Sequence, residues 1–347
     1  EAFSNVPHGR PIIFYSAKEV RPLQLEQMNS RFQSNMHAVS VDGSFREVSN
    51  HILSLLKDQE LLTFMEKSNY ALTTSNSLNF AHLLPQIVNY FASYFLLLSQ
   101  GGIGWGDPVH FVIPTGSFSN ILAGFYARNM GLPIDKLICA SNRNNALTDF
   151  FATGTYSTHR LFFDTLSPSL NTMIPDNLER LLYDITDRDG ELVKQWMELL
   201  TRSGSFSIGE QRMEWLSNLF VSGSANDRQT QEEIRFVLDR NKYLMDPHTA
   251  VASHVLRDYR ETTNDPTPAV ILSTASPYKF PEEMLKALQV VFPSSSTLHE
   301  KFQLLASVSG VAIPEQLSLT NSLPPTLTKP GLPIRDMKST LMQLLRR

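Results

Sequence analysis

Residues 110 to 131, HFVIPTGSFSNILAGFYARNMG, run from an apolar segment through a loop of small residues into a helical pattern, the order of parts that builds an anion cradle. The first segment, His110 to Ile113, is short, apolar and stopped by Pro114, as a buried strand of a parallel sheet is. Past Ser119-Asn120, Leu122, Phe125 and Tyr126 recur at helical spacing. Gly131-Leu132-Pro133 then stops the helix ahead of a second apolar run, Lys136 to Cys139. The first-turn N–H groups of such a helix, and the positive end of its dipole, point into the loop, where Gly116, Ser117 and Ser119 let an anion come close. The loop has neither the GK[ST] lysine of a mononucleotide P-loop nor the G-x-G-x-x-G of a dinucleotide site, and no basic residue at all. A phosphate there is held by backbone amides and hydroxyls. The structural alternative is a tight turn into a helix capped by Ser119 or Asn120.

Three further polar stretches stand at the ends of expected strands or helices: SNSLNFAHLLPQ (75–86), CASNRNNALTDF (139–150) and STASPYKF (273–280). In an open parallel sheet ligands bind outside the carboxyl ends of the strands, so these loops are candidates for a common crevice. His248 and His254 are six apart and do not share a helical face as metal ligands do, so no metal is expected.

The elements that position these loops alternate. Apolar runs at 12–15 and 38–41 alternate with helical stretches at 23–28 and 46–57, which argues for an α/β fold with a parallel sheet. Residues 176–245 read as mostly helical and charged, with turns at RDGE and SGSAND. LTNSLPPTLTKPGLP reads as a surface segment ahead of a last helix, Arg335 to Leu345. The most apolar stretch, Ile87 to Leu98, is interrupted by Asn89 and Ser93 and is far shorter than a membrane span. It is expected as a buried helix, with Leu84, Ile87, Val88, Phe91, Phe95 and Leu98 as its core-facing stripe.

A chain of 347 residues, 42% hydrophobic and 18% charged, can bury a large core and spans two domains. Its net charge is −4 and it has no basic tract, so the electrostatic footprint of a nucleic-acid binder is missing, and no nucleic-acid or membrane partner is expected. The single cysteine, Cys139, has no partner for an internal disulfide, which fits the cytoplasm. Oligomeric state is left open. The opening EAFSNVPHGRPIIFYS has no signal-peptide regions and reads as the tail of a helix before a strand, so an amino-terminally truncated chain is expected.

The polar stretches, taken together, resemble the threonine synthases, pyridoxal phosphate enzymes of the tryptophan-synthase-β (fold type II) kind. FYSAKEVRPLQLEQM, NSLNFAHLLPQIVNYF, PTGSFSNILAGFYARNMGLP, SPSLN with NLERLLY, MDPHTAVA, STASPYKFPE and VSGVAIPEQL occur in that family's order. The resemblance implies two domains: 1–105 as the remainder of an amino-terminal cofactor domain, and 106–347 as a large carboxy-terminal domain with a helical insertion at about 176–245. It implies that Gly116, Ser117, Phe118, Ser119 and Asn120 wrap the phosphate of pyridoxal 5'-phosphate and that the Thr274 hydroxyl faces the pyridine nitrogen. Asn76, Ser77, Asn79 and His82 fall on the segment that holds the phosphate of O-phospho-L-homoserine. The implied reaction converts that substrate and water to L-threonine and phosphate.

Several positions depart from the family pattern. His82 stands where an arginine is usual, and a histidine lacks that residue's fixed charge and bidentate grip. Ser117 and Ser119 replace asparagine and glycine, and Asn171 replaces an aspartate. The lysine that bonds the cofactor belongs to an F-K-D segment, absent here together with S-G-D-T-G, and neither Lys18 nor Lys279 has its context. The chain alone is therefore expected to be inactive. Two alternatives follow from the departures: a non-catalytic homologue acting as a ligand-binding or interaction module, and a β-replacing enzyme with another substrate.

Overall fold

The computed structural model describes residues 6–31, 35–74, 79–318 and 331–346. The chain divides into two compact units, one of residues 1–74, 297–303 and 312–347, the other of residues 75–296 and 304–311. The division falls earlier than residue 105 and returns the end of the chain to the first unit. Two packing facts account for this: the helix after residue 82 joins the second unit's core, and the strand Leu332–Pro333 joins the first unit's sheet.

In the first unit, β1 (Ile12–Ser16) and β2 (His37–Asp42) pair in parallel across α1 (Pro22–Arg31), with Ile12 opposite His37 and Ser16 opposite Val41. The strand Leu332–Pro333 continues the parallel sheet on the far side of β2. A capping box of Ser44 and Glu47 starts α2 (Phe45–Leu55), and Asp58 caps α3 (Gln59–Lys67) by accepting from the Leu61 N–H at 2.8 Å. Val41, Val48, Leu61 and Met65 form the core with Met337 and Leu341 of the last helix, Met337–Leu345.

The second unit opens with α4 (Leu83–Ser99), entered through a 3-10 turn at Phe80–His82. There follow β3 (Val109–Pro114), α5 (Ser119–Asn129), β4 (Ile134–Ser141), α6 (Ala146–Thr153) and β5 (Thr155–Ser157). Then come α7 (Leu178–Ile185), α8 (Gly190–Ser203), β6 (Ser205–Ser207), α9 (Glu210–Ser217), β7 (Phe220–Ser224), α10 (Asp227–Asn241), α11 (Pro247–Thr263) and β8 (Ala269–Ile271). The main sheet is wholly parallel in the order β7-β4-β3-β8, while β5 and β6 form a small antiparallel pair. Alternate residues of β3 serve opposite faces. Phe111 and Ile113 pack with α4 and α5, whereas Val112 packs against Val251, Ala252 and Val255 of α11. Helices on both faces of a parallel sheet explain why every residue of β3 is buried.

Two expectations are corrected. The buried face of α4 is Leu83, Ile87, Tyr90 and Tyr94, while Leu84, Val88 and Phe95 of the expected stripe are exposed. This helix is apolar on most of its circumference, so the spacing of its apolar residues alone does not select the buried face. With the 3-10 turn, Phe80–Ser99 is 20 residues, long and apolar enough to cross a membrane by length and composition. Its inner face packs on the second unit's core: the Tyr90 ring lies 4.7 Å from that of Phe111, and a Cβ on Gly124 of α5 would come within 2.7 Å of Tyr90. The second correction concerns the turn at SGSAND within 176–245, a stretch that is mostly helical as expected. It carries β7, an edge strand of the main sheet, and the serines and glycine of SGSAND belong to that strand rather than to a turn. The surface segment expected around 319–333 lies outside the described residues up to 330.

Candidate functional site

The loop after β3 is held on several sides. The Thr115 N–H donates to the Ala140 carbonyl at 2.9 Å, tying the strand end to β4. The Ser117 carbonyl accepts from both the N–H and the Nδ2 of Asn177, each at 3.2 Å. A Cβ on Gly116 would lie 2.1 Å from the Ser169 carbonyl oxygen, so only glycine lets these two backbones meet. Phe118 then takes φ 68, a left-handed conformation that costs a non-glycine residue on the order of 1–3 kcal/mol. Its ring is 1% exposed and stacks on Phe151 at 6.1 Å, which offsets the strain.

Phe118 is also the residue at the N-cap of α5, and no side chain caps that helix. The capping role considered for Ser119 or Asn120 is therefore not taken up, because Ser119 is already the first helical residue. The first-turn N–H groups keep the polarity that suits an anion. The Ser117 and Ser119 hydroxyls are 3.1 Å apart, and Gln86 Nε2 lies 3.5 Å from Ser119 Oγ. The fully buried Tyr90 fixes the same turn, donating its hydroxyl to the Asn120 carbonyl at 2.7 Å. Burial holds that phenol well above its ordinary pKa, so the proton stays in place.

A cavity of about 500 Å³ opens beside Asn120, between α4 and the carboxyl end of β8. Asn120 lines it from the loop side, Ser273 and Thr274 from the end of β8, and Gln86, Asn89 and Ser93 from α4. The expected residues Asn120 and Thr274 thus share one space. Gly116, Ser117, Phe118 and Ser119 form the turn behind it. Of the expected substrate residues, Asn76 and Ser77 lie outside the described residues. Asn79 caps the 3-10 turn by accepting from the Ala81 N–H at 3.0 Å, His82 is exposed, and neither lines the cavity.

Sequence reasoning assigned no role to Gln86, Asn89, Ser93 or Ser273. Gln86 Oε1 is buried without a hydrogen-bond partner among the described residues. The signal was available: 86, 89 and 93 are the polar positions of an apolar helix, and their spacing puts them on one face.

The 139–150 stretch builds a buried amide network rather than a cavity wall. Asn142 Nδ2 donates to Asn171 Oδ1 at 2.8 Å, Asn144 Nδ2 to the same oxygen at 3.2 Å, and Thr165 Oγ1 to it at 2.7 Å. Asn171 therefore supplies the acceptor that an aspartate would. Cys139 is fully buried in β4, and burial pushes its thiol up to about 12, so it is no nucleophile at neutral pH. His110, Asp135 and Asp265 gather at the opposite, amino end of β3. His110 Nε2 lies 2.9 Å from Asp265 and Nδ1 3.4 Å from Asp135, each nitrogen facing a different carboxylate.

A wholly parallel main sheet covered by helices on both faces, with a cavity at a strand end, makes the second unit an α/β protein, and the matches that follow give it the fold-type-II architecture. The family description "Threonine synthase, C-terminal" matches residues 249–311. The chain is 36% identical to a threonine synthase of Pseudomonas aeruginosa over 278 residues, 79% of this chain and 56% of that protein. It is 35% identical to the human protein named threonine synthase-like 1 over 281 residues, 80% of this chain and 37% of that one. The structure of a pyridoxal-phosphate-bound threonine synthase from Brucella melitensis superimposes with a TM-score of 0.75 at 30% identity, over 97% of this chain and 65% of that one. The yeast threonine synthase structure gives 0.78 at 28% identity, over 96% and 64%. The chain belongs to the threonine synthase family. It spans between about two fifths and a little over half the length of the curated relatives it matches.

Proposed function

We propose that this chain carries the cofactor-phosphate turn and part of the substrate cavity of a pyridoxal-phosphate-dependent threonine synthase, a cytoplasmic enzyme acting on the small molecule O-phospho-L-homoserine. The observation that carries this reading is the meeting of Asn120 and Thr274 at one cavity beside an uncapped helix start. Bound pyridoxal phosphate supplies the electron sink for the reaction. The residues of this chain do the rest by position. The loop from Gly116 to Asn120 offers backbone amides to the phosphate, with the dipole of α5 behind them. The Thr274 hydroxyl, being neutral, leaves a facing ring nitrogen without the strong proton donor that an acid would be. Gln86 and Asn89 present amide groups able to orient a polar substrate beside the apolar Val270, Ile271 and Leu272. Asn76, Ser77, Asn79 and His82 stand as the proposed substrate-phosphate segment, at the entry to α4.

Because this chain alone is expected to be inactive, the test is made on the longest natural gene product that contains it, incubated with pyridoxal phosphate and O-phosphohomoserine, with threonine and inorganic phosphate both measured. Equimolar release of the two products supports the reading, and phosphate without threonine sinks it. The Ser117–Ser119 hydroxyl pair favours a second reading, because it places side chains at the approach to the helix start. On that reading the chain is a non-catalytic binder of phosphorylated ligands. Saturable binding of O-phosphohomoserine with neither product released distinguishes it.

A further inference from the structure

The loop at Gly116 does not hold its own shape. Its neighbour Ser169 is fixed by a buried group that the proposed chemistry does not use. Asp246, fully buried at the N-cap of α11, accepts at Oδ1 from the His248 N–H at 2.9 Å and faces His248 Nδ1 at 2.7 Å. Its Oδ2 accepts from the Thr249 hydroxyl. A carboxylate taking all these bonds is an acceptor only, so Nδ1 carries the ring proton. Nε2 is then free to accept, and it does so from the Ser169 N–H at 3.1 Å. The carbonyl of Ser169 is the atom against which Gly116 rests. On the other side, Thr249 Oγ1 reaches Ser273 Oγ at 3.5 Å, next to Thr274. One carboxylate thus braces the backbone turn at one edge of the cavity and the strand-end hydroxyls at another.

We propose that Asp246, His248 and Thr249 are positioning residues that set the spacing between the phosphate turn and Thr274. His248 acts through Ser169 and Thr249 through Ser273. The inference rests on the cofactor reading above for its ligand, but the bracing itself is a property of the loop. The Phe280 ring, 4.9 Å from the imidazole, closes the pocket around His248 and keeps water from replacing it as the acceptor.

The experiment compares the protein with His248→Gln, whose side-chain oxygen can still accept, and His248→Leu, which cannot. Equilibrium binding is measured with pyridoxal phosphate and with pyridoxal, which lacks the phosphate. Deuterium exchange is followed on peptides covering 115–120 and 167–171, and melting curves confirm that both variants fold. His248→Leu should weaken pyridoxal phosphate by about tenfold while pyridoxal stays within about twofold, and His248→Gln should recover most of the loss. Exchange in both peptides should rise by about tenfold in the leucine variant and return in the glutamine variant. Equal loss for the two ligands, or unchanged exchange at 115–120, overturns the proposal. If the unaltered protein does not bind pyridoxal phosphate while exchange follows the acceptor, the cofactor reading falls and the bracing stands.

Discussion

Replacing Gly116 by alanine isolates the closest backbone approach in the site. The new Cβ would sit 2.1 Å from the Ser169 carbonyl oxygen, whereas ordinary contact begins at 3.4 Å, so the two segments must part by about 1.3 Å. Neither is free to move. Asn177 holds Ser117 by two bonds, Thr115 is tied to Ala140, and His248 holds Ser169. Overpacking of this kind costs ~1–3 kcal/mol, and losing one of the restraining hydrogen bonds adds about 1 kcal/mol. A total near 2–4 kcal/mol corresponds to a fall in melting temperature of roughly 3–5 °C for a chain of this size. Gly190→Ala is the control: it lies at the first position of α8 with its nearest neighbour at 3.9 Å, and its melting curve should be unchanged or slightly raised. Calorimetry of the two variants beside the parent decides the matter. A Gly116→Ala protein melting within about 1 °C of the parent would show that the loop yields freely and that the packing argument is wrong.

Three further outcomes are expected. Gly124→Ala pushes a methyl to 2.7 Å from the Tyr90 ring and 2.8 Å from Leu137, and should destabilise by ~1–3 kcal/mol in denaturant titration; Tyr90→Phe, which loses only the bond to Asn120, should cost about 1 kcal/mol. Cys139 should resist a disulfide reagent at pH 8 in the native protein and react as one thiol after denaturation, since burial holds its pKa at about 12; rapid native labelling contradicts its placement. Hydrogen bonds from Thr267, with smaller help from His110 and Tyr259, hold Asp265 well below the ordinary carboxylate range. A depressed folded-state value means stability present at neutral pH and lost as pH falls below about 4 through that lower value, so the melting deficit of Asp265→Asn should shrink on acidification. A deficit constant from pH 7 to 3 contradicts it.

The sequence disclosed elements more readily than faces. The run at 110–113 and the helix after it were legible because proline, glycine and a change of period bracket them, and the strand is found at Val109–Pro114. The strand-end rule offered only that two of the polar loops share a crevice; Asn120 and Thr274, over 150 residues apart in the chain, were named by the family resemblance and line one cavity. The α4 face was misread, since apolar residues cover most of the helix and their spacing alone does not select the buried side. Asn89 and Ser93 were read only as interruptions of an apolar run and Gln86 only as the end of a polar stretch, yet all three line the cavity. Phe118 was beyond reach for another reason. A left-handed phenylalanine contradicts its own local preference and exists because Phe151 and the loop contacts hold it there.

The first unit's sheet carries a consequence for synthesis. Val41 and Asp42 of β2 pair with Leu332 and Pro333, which leave the ribosome roughly 290 residues later, on the order of 15–60 s at ordinary elongation rates. During that interval the second unit can complete its own core, while the edge of β2 waits unpaired beside the apolar surface that Met337 and Leu341 will cover. An open strand edge next to exposed apolar groups is what chaperones bind and what aggregates in their absence. The unit begun first is thus finished last. Its yield in a cell should respond to translation speed and chaperone supply more than that of the unit encoded in its middle.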